Sequence, residues 1–168
     1  MCSSDLTGNM KLMLNGALTL GTLDGANVEI HEAVGDENIF LFGLRAEQVN
    51  ELRPVYSSQA IYHADPEIRH AIDMIRHNVF SLLTPGIFDP LIRSLLDYND
   101  QYMLLADLRD YIETQDRVEA LYRKPQEWDR KALINVARSG WFSSDRTIRE
   151  YARDIWHVEP VIPAQPES

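Results

Sequence analysis

The sequence predicts an α/β fold: two short parallel strands followed by a mostly helical region. Three observations carry that reading. Two brief apolar runs, Ala17 to Thr22 and Ile39 to Phe42, each meet a glycine at their end, Gly21 and Gly43. A segment able to form one short helix, Gly25 to Ala33, lies between them, and helix, strand, helix, strand is the order of a parallel sheet with crossovers. Beyond Gly43 the punctuation is that of helices alone.

The elements follow in order. A helix carrying Lys11 opens after the Gly-containing turn at Thr7-Gly8. The first strand comes next, then the helix 25–33, stopped near Gly35, and the second strand. Ala46 to Leu52 is the next helical candidate. Asp65-Pro66 pairs an N-cap with proline at the first helical position and opens a helix to about Leu83, which Thr84-Pro85-Gly86 stops. Asp89-Pro90 repeats that device for a helix to Tyr98. Asp107 caps a helix to Arg123, Pro125 starts one that ends near Ser139-Gly140, and Ser144 caps the last, through Trp156. The tail from Pro160 to Pro166 reads as extended. Trp128, Trp141, Phe142, Tyr151 and Trp156 fall on helical apolar faces and are read as packing anchors. Arg146 and Arg149, with Glu150 and Asp154, read as solvated charge pairs.

Composition narrows the function classes. A net charge of −10 argues against nucleic-acid binding and against anionic membranes, both of which need basic patches. No apolar run approaches the ~20 residues of a membrane span. The one cysteine, Cys2, leaves no pair for a disulfide, which fits a reducing cytoplasm. The five histidines show no metal-ligand spacing.

The chemistry-bearing candidate is Lys11. It lies four residues after Thr7 and three after Gly8, so one helical turn brings its stem near their N–H groups. Free backbone N–H groups and a helix dipole suit a phosphate, and an amine among apolar neighbours suits condensation with an aldehyde. On local chemistry alone, Thr7, Gly8 and Lys11 hint at a phosphate site, and a surface lysine beside an ordinary N-cap is the alternative reading.

The run Thr7-Gly8-Asn9-Met10-Lys11-Leu12-Met13-Leu14-Asn15-Gly16, continuing through Asp24-Gly25-Ala26-Asn27, closely resembles the cofactor segment of the α-glucan phosphorylases of glycogen, starch and maltodextrin. The resemblance extends over Asn38-Ile39-Phe40-Leu41-Phe42-Gly43, Arg117-Val118-Glu119-Ala120-Leu121-Tyr122, Pro125-Gln126-Glu127-Trp128 and Phe142-Ser143-Ser144-Asp145-Arg146-Thr147-Ile148, to about Pro160. It implies the C-terminal part of a Rossmann-like, GT-B type glycosyltransferase domain. It places Lys11 where the family carries pyridoxal 5′-phosphate as a Schiff base, with Thr7 and Gly8 lending N–H groups to the cofactor phosphate. Asp24 and Asn27, in the matching D-G-A-N run, are read as turn and cap rather than catalytic residues, and no side-chain role is assigned to Asn9. For the full-length enzyme the resemblance implies cleavage of α-1,4-glucans by inorganic phosphate to glucose 1-phosphate, a homodimer and a cytoplasmic location.

Residues 7–160 are thus expected to be a truncated cofactor domain and 161–168 a flexible tail. Residues 1–6 depart from the family pattern and are expected to be a non-native leader, since Cys-Ser-Ser-Asp-Leu is what the end of a common sequencing adaptor encodes. Ser3 stands where the family's glucosyl-binding glutamate would fall, so no catalytic residue is assigned and the isolated chain is expected to be inactive. Two other readings stay open. A helical interaction module would use the stretch from Pro66 to Trp156, and another type of pyridoxal-phosphate enzyme would need a pyridine-binding aspartate and a carboxylate-binding arginine.

Overall fold

A computed structural model describes residues 6–159 and 161. Helix α1 spans Leu6–Leu14 and is followed by strand β1, Leu20–Gly21. Helix α2, Ala26–Val34, crosses over to strand β2, Phe40–Leu41. The strands pair in parallel, Leu20 opposite Phe40 and Gly21 opposite Leu41. Each is shorter than the apolar run that predicted it, and both are half-buried. The remaining helices are α3 (Ala46–Leu52), α4 (Ser58–Ala64), α5 (Pro66–Arg76), α6 (Asp89–Ile92), α7 (Leu104–Tyr122), α8 (Pro125–Ser139) and α9 (Ser144–Tyr151). The α/β reading holds in this form, a parallel strand pair within a mainly helical chain.

Two apolar clusters hold it together. Met13 of α1, Ile30 and Val34 of α2 and Ile39 beside β2 form one, with Leu41 and Phe142 packed against it. Tyr62, Ile68, Ile72, Leu95, Leu96 and Leu105 form the other, gathering α4, α5, the segment after α6 and α7. Helix α7 links the two by packing on β2 and on α8 as well as on α4 and α5.

Several boundaries differ from the sequence reading, each for a local reason. Helix α4 was not anticipated; Ser57 caps it by accepting from Ala60 N at 3.2 Å. Helix α5 stops at Arg76 rather than near Leu83 because Asn78 takes a left-handed conformation, φ 54°. Val79 N then donates to Met74 O and Asn78 N to Ile75 O, the paired bonds of a Schellman ending. Asp89 is the first residue of α6, not its cap, and the helix continues as a wider π turn over Arg93–Asp97. Ser144 likewise begins α9, which Ser143 precedes, and a second π turn covers Ala152–Trp156.

Asp107 is the largest correction among the caps. It lies inside α7, and its Oδ1 accepts from Leu44 N at 2.8 Å while Asp110 Oδ2 accepts from Gly43 N at 2.7 Å. Two carboxylates of α7 thus hold the chain leaving β2. Gly43 is required there: its φ is +82°, and a Cβ would sit 2.8 Å from Asp107 Cγ.

Of the aromatic residues read as anchors, Phe142 packs on the first cluster and Trp128 meets Tyr122 edge-on at 5.1 Å. Trp141, Tyr151 and Trp156 are exposed instead, with Arg146 stacked 3.7 Å over the Trp141 ring. Arg146 pairs with Glu150, and Asp154 pairs with Arg153. The tail 162–168 and Met1–Asp5 of the expected leader lie outside the described residues, while Leu6 begins α1. Among the described residues no helix is long and apolar enough to cross a membrane.

Asp65 does cap α5, accepting from Glu67 N at 3.0 Å and Ile68 N at 3.2 Å. Its carboxylate also takes a forked pair from Arg109 of α7, with Nη2 2.7 Å from Oδ1 and Nε 3.0 Å from Oδ2. The guanidinium, aided by the backbone bonds, holds the Asp65 carboxyl below the ordinary carboxylate value. The unfolded chain therefore takes up this proton first, so the stabilisation is present above that ordinary value and is lost as pH falls below it. Burial pushes Asp107 the other way, raising its pKa, so its contribution is present at low pH and is lost as pH rises through the folded value. Asp65→Asn, which keeps a capping oxygen, is expected to flatten the loss of urea resistance below about pH 4. An unchanged acid limb would show that Asp65 does not drive it.

Candidate functional site

The T-G-N-M-K run lies within α1, and the helix divides it between two sides. Met13 is fully buried against Ile30 and Val34. Asn9, one turn earlier on the same side, reaches α2, and its Nδ2 donates to Asn27 Oδ1 at 2.9 Å. Lys11 lies midway between them in sequence, about 200° round the helix from each, and is exposed. Positions 7 and 8 share its side at i, i+4 and i, i+3 spacing.

The structure thus brings the backbone of Thr7 and Gly8 and the whole of Lys11 onto one outward stripe. Two details of the sequence reading change. Thr7 and Gly8 are helical rather than in a turn, and the acceptors that helix geometry would give their N–H groups lie outside the described residues. The apolar neighbours of Lys11 are present but uncovered: Leu12 and Leu14, which flank the stripe, are 59% and 60% exposed. Among the described residues no hydrogen bond or ion pair engages the Lys11 ammonium. A recess of about 240 Å³ lies beside the stripe, lined by Asn9, Leu12 and the chain from Ala17 to Leu20.

Gly8 is informative because nothing among the described residues requires a glycine there. A Cβ there would meet no atom within 4 Å, and its φ is not positive. Glycine inside a helix costs up to about 1 kcal/mol relative to alanine. Among the described residues the space over Gly8 is open, one turn from the Lys11 amine, which leaves the helix backbone there accessible to a phosphate. The residues present therefore fit a phosphate-bearing aldehyde. Gly8→Ala is expected to raise the stability of the chain by a few tenths to about 1 kcal/mol, measured by urea denaturation. A loss of stability would show a packing role for the glycine.

Sequence reasoning missed Asn9 and Asn27. Asn27 is not a cap but the second residue of α2, 7% exposed. Its Nδ2 donates to Thr22 O at 2.9 Å, just past β1, and lies so close to Gly21 that a Cβ there would approach it to 2.5 Å. Asp24 does shape the turn, accepting from Thr22 Oγ1 at 3.1 Å and, through its carbonyl, from Asn27 N at 3.0 Å. A signal existed. Asn27 falls on the same helical stripe as Ile30 and Val34, and an amide on a core stripe needs partners.

By architecture the chain is a helix-rich α/β segment with a parallel strand pair and a glycine–lysine stripe on its first helix. A profile of the carbohydrate phosphorylases matches residues 3–158. Bovine muscle glycogen phosphorylase is 51% identical over 155 residues, which is 92% of this chain and 18% of the relative. Rat brain glycogen phosphorylase is also 51% identical, with the same coverage. Glycogen phosphorylase of Chlamydia trachomatis is 49% identical over 152 residues, 90% of this chain and 19% of the relative. The chain belongs to the carbohydrate phosphorylase family. It spans less than a fifth of the length of these relatives.

Proposed function

We propose that this chain is the cofactor-holding part of an α-glucan phosphorylase and that Lys11 tethers pyridoxal 5′-phosphate through its amine. The observation that carries the proposal is the outward stripe of α1. Lys11 stands exposed there one turn from Gly8, a glycine that no contact among the described residues requires. Family membership and the names of the relatives, all glycogen phosphorylases, support it.

Lys11 anchors the group, Thr7 and Gly8 lend backbone N–H to its phosphate, and Gly8 leaves room for close approach. Bound, the cofactor supplies a phosphate, ionising near neutrality, as proton donor or electrostatic partner to the substrate phosphate. In the whole protein the reaction is phosphorolysis of a terminal α-1,4 linkage. A phosphate oxygen bonds to C1 of the nonreducing-end glucose, the glycosidic bond breaks, and the departing O4 of the shortened glucan takes a proton. Glucose 1-phosphate leaves with its anomeric configuration retained. The whole protein is a GT-B type glycosyltransferase, homodimeric and cytoplasmic.

The isolated chain has Ser3 where a glucosyl-binding glutamate would stand, and its other lysines, Lys124 and Lys131, flank the start of α8 and lie within it. We propose that alone it produces no glucose 1-phosphate from glucan and phosphate. The tethering role is tested by borohydride reduction of the full-length protein followed by peptide mapping. The cofactor mass is expected on the peptide containing Lys11; its recovery on a different lysine would refute the assignment.

A further inference from the structure

Helix α1 packs on both α2 and α8, and Met13 is its fully buried side chain among the described residues. Apolar packing is non-directional, so the rotation of α1 about its axis also needs a directional contact. The second anchor is polar and runs Asn9 to Asn27 to Thr22. Its direction is fixed by chemistry. Thr22 O can only accept, so the Asn27 amide must turn its NH2 there and its oxygen toward Asn9. Gly21 keeps the amide in place from behind, since any side chain at that position would collide with Nδ2. Gly21 itself is held in the sheet, where its carbonyl accepts from Phe42 N at 3.2 Å. The relay therefore refers the rotation of α1 to the strand pair. Asn9 and Met13 lie on the side of the helix away from Lys11, so fixing them sets the direction in which the lysine stem leaves the helix.

We propose that Asn27 is a positioning residue for the cofactor lysine, acting through Asn9 to fix the rotation of α1 and so to aim Lys11 and Gly8 at one bound group. The inference rests on the reading of Lys11 as the tethering residue. It assigns to the asparagine pair a role in the reaction that a turn or a helix cap would not have.

The test uses the full-length protein loaded with pyridoxal phosphate. Asn9→Ala, Asn27→Ala, Asn27→Asp and the double alanine variant are compared with the unaltered protein. Three quantities are read: the release rate of the cofactor during dialysis against a carbonyl trap, the circular dichroism of its absorption band, and the thermal midpoint of the apo form. Each single alanine variant is expected to release cofactor about tenfold faster, the scale of one lost hydrogen bond, and to reduce the dichroic signal. The double variant is expected to match either single one, because both remove the same link. Asn27→Asp turns an acceptor toward Thr22 O and is expected to behave like Asn27→Ala despite its matching shape. Asn9 is half-buried, so Asn9→Ala keeps the test available if a variant at the buried position 27 does not fold.

A purely structural role predicts a lower apo midpoint with unchanged release and dichroism at Lys11, and that result overturns the proposal. Equally fatal is a double variant whose release rate is the product of the two single effects. Borohydride mapping distinguishes the remaining case. Cofactor found on another lysine ends both this inference and the assignment beneath it, whereas cofactor on Lys11 with unaltered release ends this inference alone.

Discussion

Lys11→Ala in the full-length protein is expected to abolish retention of the cofactor through gel filtration, while leaving the fold within about 0.5 kcal/mol of its original stability. The physical basis is the separation of roles along α1. Lys11 is exposed and, among the described residues, makes no side-chain hydrogen bond or ion pair, whereas Met13 and Asn9 face the body on which α1 packs. Alanine at an exposed helical position is well tolerated. Lys11→Arg is expected to fail equally, since a guanidinium keeps the charge but cannot form the covalent tether. Phosphorolysis is expected to fall on the order of a thousandfold or more in both variants, with glucan binding outside this segment unchanged. Absorbance of the dialysed protein and intact-mass measurement check the first outcome. A variant that keeps one cofactor per chain after dialysis would remove Lys11 from the site.

What the sequence made legible was local. Ala46–Leu52, the Asp65-Pro66 opening and the Pro125 start are set by local caps and dihedral preferences, even though Asp65 also binds Arg109 of α7, and the structure places them where the pattern does. The division of T-G-N-M-K was half legible. Helical spacing puts Gly8 and Lys11 on one side, but the inward role of Asn9 depends on Asn27, 18 residues away. The left-handed residues were not legible, since Asn78 ends α5 where an apolar pattern continues past it. Asp107 shows the limit most directly. An aspartate before an apolar helical run has the chemistry of a cap, but here its acceptor oxygen serves Leu44, 63 positions earlier in the chain. Propensity assigns the residue a helix, and only the long-range contact assigns the carboxylate a partner.

The carboxylate that caps the start of α7 is that of Asp100, and its removal is expected to be strongly destabilising. Asp100 is 3% exposed, and one oxygen serves two donors. Tyr56 OH donates to it at 2.7 Å and Leu105 N at 2.8 Å, so the residue both starts α7 and ties it to the chain before α4. Burial, reinforced by this carboxylate, pushes the Tyr56 hydroxyl far above its ordinary pKa, so the phenol stays a donor throughout the working range. The turn is committed to this geometry. Asn99, Asp100 and Met103 all have positive φ, and Asn99 adds bonds to Ser58 N at 2.9 Å and to Tyr56 O at 3.0 Å. Asp100→Ala leaves a phenol and a backbone N–H without partners in a closed interior, at about 1–3 kcal/mol for each. The expected loss is about 3 kcal/mol, less the relief from burying a carboxylate. Asp100→Asn keeps an acceptor and is expected to lose about half as much. Tyr56→Phe removes only one of the two donors and is expected to cost about 1 kcal/mol. Urea denaturation of the four proteins gives the order directly. If Asp100→Ala proved no worse than Tyr56→Phe, the Leu105 cap would contribute nothing, and the start of α7 would have to be held by the packing of Leu105 alone.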